Sequence, residues 1–514
     1  MSDTSNAAAR PLYLTTPIYY VNDRPHLGHA YASIHADVVA RYGVLEGRPT
    51  VFITGADEHG EKIAKAAAAM NEPIQAFVDY NAAAFRHAWE QLSVAPTAFV
   101  RTTDPAHKAY VSAILQLLHD KGDIYEAEYE GLYSVGQERY VTQKELVDGK
   151  LPEDKEPPQL RRETNYFFRM EKYRESIREL LRNQPDLIHP KEYAAEVRKL
   201  LEEPIGDLSI SRPIDRVSWG IPLPWDHAHV TYVWFDALLS YVSELRKEEG
   251  RFDRFWPHTR HIIGKDILRP HALFWLSMCL AIGLPPYRRL HVSGHLLGSD
   301  GRKMSKSLGN GVDPLDAARK YGVDVLRYVL IREVPFGVDG IISEQVIEQR
   351  LRNDLANDFG NLAARTLAMI GRYREGRVPA ASDLGDAERR LQTESERLRQ
   401  MCPGWVEDLW LSHGVEEILE FVRSLNRYVS EQVPWALAKQ PDQQCRLDTV
   451  LNTLHQGLVT ASTLLFPVMP GKMSTLRTTL GLTAAPSLSE FWTTTGGQQV
   501  DVEAPVLFPK MGDD

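Results

Sequence analysis

Cysteine is scarce in this chain: Cys279, Cys402 and Cys445 stand far apart and form no Cys-x-x-Cys pair. A disulfide framework and a cysteine-rich zinc site are therefore not expected, and a reducing, cytoplasmic setting fits. Long apolar runs are missing too. The longest, residues 272–286, is interrupted by Ser277 and closed by Pro285 and Pro286, too short for the roughly 20 residues that span a bilayer. Residues 1–10 have no apolar core, so no secretory leader is expected. Positive charge is not in excess: 59 Lys and Arg face 69 Asp and Glu, a net charge of −10. That excludes nucleic-acid binding by bulk charge and leaves open a locally complementary surface. Two phosphate-binding fingerprints are absent, the Gly-x-x-x-x-Gly-Lys-Ser/Thr loop and the glycine-rich first turn of dinucleotide enzymes.

What is present is an ordinary globular composition, 43% hydrophobic and 25% charged over 514 residues, enough for about three domains of roughly 150 residues. Residues 12–20, 50–54 and 98–101 are short β-rich runs, each followed by a helical pattern. A second series occupies 231–245, 260–282 and 289–293. Strands alternating with helices predict an α/β fold with a Rossmann-like parallel sheet. Residues 1–117 and 222–295 are its two halves. Residues 118–221, rich in Tyr, Gly and charge, are expected to be an insertion, and 296–343 carry a basic loop. From 344 the β signal stops and helical periodicity predicts an all-α C-terminal domain over 344–514.

Two local features carry chemistry. Pro25-His26-Leu27-Gly28-His29 follows the first strand. Pro25 suits the first position of a helix, whose N-terminus offers backbone N–H groups to an anion. Gly28 would let a ligand approach closely, and His26 and His29 lie on one side of the turn. The alternative is a pair of capping or zinc-binding histidines, with His35 a poor third ligand. The second feature is the basic stretch Lys303-Met304-Ser305-Lys306-Ser307, bracketed by Gly301 and Gly309, suited to closing over a polyphosphate.

Taken together, His-Leu-Gly-His and Lys-Met-Ser-Lys-Ser resemble the paired signatures of the class I aminoacyl-tRNA synthetases, and the bacterial-type methionyl family in particular. Thr15–Asn22, the Gly-Ala-Asp-Glu-His-Gly run at 55–60, Tyr-Val-Trp-Phe-Asp-Ala at 232–237, Gly-Lys-Asp-Ile at 264–267 and Asn426-Arg427-Tyr428 extend the likeness along the chain. The resemblance implies activation of methionine by ATP with Mg2+, then transfer to methionine tRNAs, initiator and elongator. It implies that His26, Gly28, His29, Gly264, Asp266, Lys303 and Lys306 bind ATP, with His26, His29, Lys303 and Lys306 catalytic. Asp57 would bind the ammonium of methionine, helped by the backbone of Ile18. Tyr20, Trp234, Leu238, Tyr241, Ile267 and His271 would line the side-chain pocket; read without the resemblance, Trp234, Leu238 and Tyr241 are ordinary helix core. Residues 296–343 would contact the tRNA stem, and Asn361, Arg365 and Trp435 would read the anticodon.

The insertion departs from that family. Where zinc ligands would be expected stand Ser134, Gln137, Leu151 and Asp154, so no structural zinc is expected and Tyr133 and Tyr140 are candidates to hold the segment by packing. No additional C-terminal dimerisation segment is evident, so a monomer with no membrane contact is expected.

Overall fold

The computed structural model describes residues 10–22, 24–136, 139–141, 143–151, 156–304 and 311–509. Six strands make one all-parallel sheet in the order Ala98–Arg101, Thr50–Asp57, Leu12–Tyr20, Thr259–Gly264, Arg289–Ser293, Ile188–His189. The central strands are buried along nearly their whole length because helices cover both faces. Leu12–Tyr20 leads outward to Thr50–Asp57, whereas Thr259–Gly264 joins its opposite edge. The chain therefore reverses direction across the sheet at the first strand. In such sheets, ligands bind in the crevice beyond the carboxyl ends of the strands at that switch point.

The expected Rossmann-like sheet and helical C-terminal region are present. Several local expectations shift. Pro25 is not the first helical residue: the helix runs Leu27–Leu45 with His26 as its N-cap. The second strand runs on to Asp57, which puts that carboxylate at the strand's carboxyl end. Residues 226–231 form a strand of a small antiparallel sheet with Ser211–Pro213 and Pro222–Leu223, outside the parallel one. The inserted stretch is also not wholly separate. Its long strands Ile124–Ser134 and Gln159–Phe168 form the centre of a four-stranded antiparallel sheet of its own, but Ile188–His189 pairs with Arg289–Ser293 as the edge strand of the main sheet. Two residues are too short for a strand signal to show in sequence.

Beyond Ile341 the described residues form no further strand, and helices pack one on another through Thr479. Helix Asp386–Glu407 tolerates Pro403 in its interior. The first helix is buried almost all round, Val38 and Ala36 included. It packs against the sheet on one side, and its Tyr42 hydroxyl donates to the Leu464 carbonyl of the C-terminal helices (2.6 Å) on another. Among the described residues no helix is long and apolar enough to cross a membrane.

Candidate active site

A cavity of about 620 Å³ opens at the switch point, within the range of small-molecule sites. Its walls come from the carboxyl ends of four strands and the turns after them (Ile18 and Tyr20; Asp57; Gly264, Asp266 and Ile267; Ser293 to Leu296), from His26 to His29 at the amino end of helix Leu27–Leu45, and from Lys303. Trp234, Leu238 and Tyr241, on helix Val233–Arg246, close the apolar end. Residues from Ile18 to Lys303 thus meet in one crevice.

At the polar end, the two histidines organise each other. His26 Nδ1 accepts from the backbone N–H of Gly28 (3.1 Å) and of His29 (3.4 Å), and His29 Nδ1 accepts from His26 N–H (3.4 Å). The rings stack at 3.6 Å. With both Nδ1 atoms accepting, the ring protons sit on Nε2, and each imidazole becomes an Nε2–H donor. The helix N–H groups expected to meet an anion directly are capped by His26 in this conformation. The role of Gly28 shifts accordingly, since a Cβ there would stand 3.1 Å from the His26 ring. Gly264 makes similar room: a Cβ would fall 2.5 Å from the Asp266 carboxylate.

At the apolar end, Tyr241 is buried, its hydroxyl 2.9 Å from His271 Nε2. His271 Nδ1 lies 2.9 Å from the Ile267 carbonyl, which fixes that nitrogen as the N–H and makes Nε2 the acceptor of the Tyr241 proton. Burial pushes His271 down to about 4, so the ring is neutral. His271 is fully buried, held by those two hydrogen bonds and edge-on to Trp234, and does not itself line the cavity. His35, the weak metal candidate, is buried against the Tyr31 carbonyl and pushed down to about 4 by burial. Lys306, Gln137 and Asp154 lie outside the described residues. Among the described residues no group of three or more His, Cys, Asp or Glu is arranged to hold a metal ion.

Behind Asp57 lies a set of buried ionisable groups. Glu58 accepts from Arg101 Nε (2.6 Å) and from the Thr103 hydroxyl. His59 Nδ1 and His107 Nε2 both reach Asp236, at 2.5 and 2.7 Å. Sequence reading quoted His59 and Asp236 only within longer runs and passed over His107, which has no patterned neighbour. His295, also missed, lines the cavity just past the carboxyl end of Arg289–Ser293, a position the strand rule could have flagged. Its backbone N–H donates to Asp339 (2.8 Å), which also holds Lys265 (2.6 Å).

In the insertion, Tyr133 is buried edge-on to Tyr140 at 5.1 Å. The guanidiniums of Arg161, Arg212 and Arg216 lie 4.2–5.2 Å from its ring centre. Glu61, one helical turn past the Asp57 strand, accepts from Arg161 and from Arg216, so this cluster ties the insertion to the wall of the cavity. Far from it, Trp435 is 43% exposed with Arg365 5.8 Å over its ring, and Asn361 is exposed one turn before Arg365.

The comparisons with known proteins agree with this geometry. The family described as tRNA synthetases class I (M) matches residues 12–159 and 142–367. The methionine–tRNA ligase of Deinococcus radiodurans is 49% identical over 509 residues, covering 98% of this chain and 74% of the relative. That of Streptomyces coelicolor is 39% identical over 94% of this chain and 92% of its own. The Mycobacterium tuberculosis methionyl-tRNA synthetase in complex with methionyl-adenylate superposes with a TM-score of 0.93 at 36% identity, over 97% of this chain and 100% of that one. Its apo form gives 0.86 at 32% identity, over 98% and 99%. With His26, Gly28 and His29 brought to one crevice with Lys303 and Met304 at the switch point of a parallel sheet, and this likeness running the length of the chain, the protein belongs to the methionyl branch of the class I aminoacyl-tRNA synthetases.

Proposed function

We infer that this chain is a methionine–tRNA ligase, which joins methionine and ATP into methionyl adenylate and then charges methionine tRNA. The observation that carries the reading is the cavity's two-ended chemistry. Stacked imidazoles and Lys303 stand at one end, an aromatic and aliphatic pocket at the other, and the Asp57 carboxylate on the same wall. The methionine carboxylate attacks the α-phosphorus of ATP and expels pyrophosphate. The terminal ribose hydroxyl of the tRNA then attacks the mixed anhydride and releases AMP. Neither step needs a protein nucleophile, so orientation and charge stabilisation supply the rate.

His26 and His29 donate to phosphate oxygens through Nε2–H. Lys303 and Lys306 neutralise charge building on pyrophosphate, and Gly264 and Asp266 meet the adenosine. Asp57 pairs with the α-ammonium. Tyr20, Trp234, Leu238, Tyr241 and Ile267 surround the thioether, with His271 orienting Tyr241; aromatic rings favour contact with sulfur. Magnesium arrives on the nucleotide's phosphates, which it screens and orients. Asn361, Arg365 and Trp435 contact the CAU anticodon of initiator and elongator tRNAs, with a base stacked on the indole. The protein acts as a monomer in the cytoplasm, a setting that suits its three scattered cysteines.

The test is methionine-dependent exchange of pyrophosphate into ATP, run against the other amino acids. Exchange with methionine alone is expected; exchange with none, or equally with leucine, overturns the reading.

A further inference from the structure

Three carboxylates, Asp57, Glu58 and Asp236, are buried in this fold. Asp236 has no solvent exposure and lies in the first turn of helix Val233–Arg246, two residues after Trp234 and two before Leu238. Its Oδ2 faces His59 Nδ1 (2.5 Å) and its Oδ1 faces His107 Nε2 (2.7 Å). His107 is anchored in turn by Ser243, two turns further along the same helix (2.8 Å). Burial would raise the Asp236 carboxyl, but His59 and His107 overcome it and hold it below the usual carboxylate range. It is therefore an ionised acceptor of two imidazole N–H bonds. His59 follows Asp57 by two residues, in the turn that leaves the second strand. A buried charged network of this kind adds little stability over an apolar core of equal volume; what it fixes is geometry.

We propose that Asp236, through His59 and His107, is a positioning residue that sets the span between the Asp57 carboxylate and the Trp234–Leu238 wall, and so the length of amino-acid side chain the site accepts. The inference rests on the methionine reading above. Asp57 and Trp234 stand on separate elements, a strand end and a helix start. The Asp236 bridge joins those two elements through side chains alone. It touches neither the amino acid nor the nucleotide. An amino acid held by its ammonium at one end and its methyl group at the other measures that distance. One methylene in an apolar pocket changes kcat/KM by about 10- to 200-fold, so a small relaxation of the span lowers discrimination between methionine and ethionine, which is one methylene longer.

The experiment is pyrophosphate exchange with methionine and with ethionine on the full chain, alongside a thermal melt. Asp236→Asn is expected to raise KM for methionine roughly tenfold, leave KM for ATP within about twofold, and cut the methionine-over-ethionine preference severalfold, the sort of loss a misplaced binding group produces. Should Asp236→Asn fail to fold, His107 supplies the second pair. His107→Gln, which keeps an N–H donor toward Asp236, should stay near the parent, and His107→Leu should follow Asp236→Asn. An unchanged preference, or KM for methionine and ATP rising together as the melting temperature falls, overturns the proposal. If the parent protein shows no methionine-dependent exchange, it is the methionine reading that fails.

Discussion

Lys303 is the described lysine of the basic signature, and it lines the cavity. Its ammonium should matter most when negative charge gathers on the departing pyrophosphate, a contact stronger in the transition state than in the ground state. Lys303→Ala is expected to lower kcat for methionine activation by roughly 100-fold while KM for methionine stays within about twofold; stopped-flow adenylate formation measures both. The imidazoles behind the pocket give a pH dependence. His271 and His35 are neutral in the fold and held at about 4, whereas in the unfolded chain each titrates near 6.5. Their contribution to stability is complete above pH about 6.5 and is lost as pH falls toward about 4. The melting temperature should decline across that window, and His271→Gln should flatten the slope. At this scale the sequence singled out His26, His29, Lys303 and Asp57 by residue type, and the fold brings all four to one cavity. It was silent on His107, whose importance comes only from a partner 129 positions away. Nor did it show that Gly28, which lines the cavity, also makes room for the His26 imidazole two residues back.

Elements were legible in proportion to their length. The alternation of strand and helix announced the parallel sheet, but a two-residue edge strand such as Ile188–His189 gives no periodic signal. Nor does a sequence say which of two helices carries the exposed face. Trp435 illustrates this. As a lone Trp after a proline it reads as bundle core by default, yet in the fold it sits in the short helix Pro434–Leu437, nearly half exposed and beneath the Arg365 guanidinium. Trp435→Ala should therefore leave adenylate formation and the melting temperature close to the parent. It should lower kcat/KM for tRNA about ten- to hundredfold, the worth of one stacked base. Adenylation, charging and a thermal melt on one preparation decide it: a joint fall of all three would make the indole structural.

For the whole molecule, Arg327 is a fully buried member of the joint between the parallel sheet and the C-terminal helices. Arg327 has no solvent exposure, and its guanidinium donates to Asp37 of the first helix (2.6 Å), to the Leu92 and Ser93 carbonyls after helix Ile74–Gln91, and to the Pro467 and Val468 carbonyls after helix Gln444–Leu465. One cation thus faces the carboxyl ends of two helices from distant parts of the chain, where the macrodipole favours positive charge. Removing one partner of a buried pair costs about 3–5 kcal/mol because the other charge is left uncompensated. Arg327→Met should lower the melting temperature and split the unfolding endotherm, with the C-terminal helices melting before the sheet; a single endotherm at the parent's temperature would count against a joint. No pattern around residue 327 betrays this, since its partners come from three other regions.

The reversal at the first strand also governs how the chain comes to be folded. Leu12–Tyr20 meets Thr50–Asp57 across a separation of 38 residues but meets Thr259–Gly264 across 246. Closing the longer loop costs roughly 1.7 kcal/mol more in chain entropy. During synthesis from the N-terminus, the first three strands can therefore pair while the opposite edge of the strand that becomes the centre of the sheet has no neighbour. A long, apolar, unpaired strand edge is a template for joining other chains. The strand-and-turn geometry that brings His26 and Asp57 to one crevice thus leaves the growing polypeptide adhesive until residues 259–264 have left the ribosome, and protection in that interval must come from outside the chain.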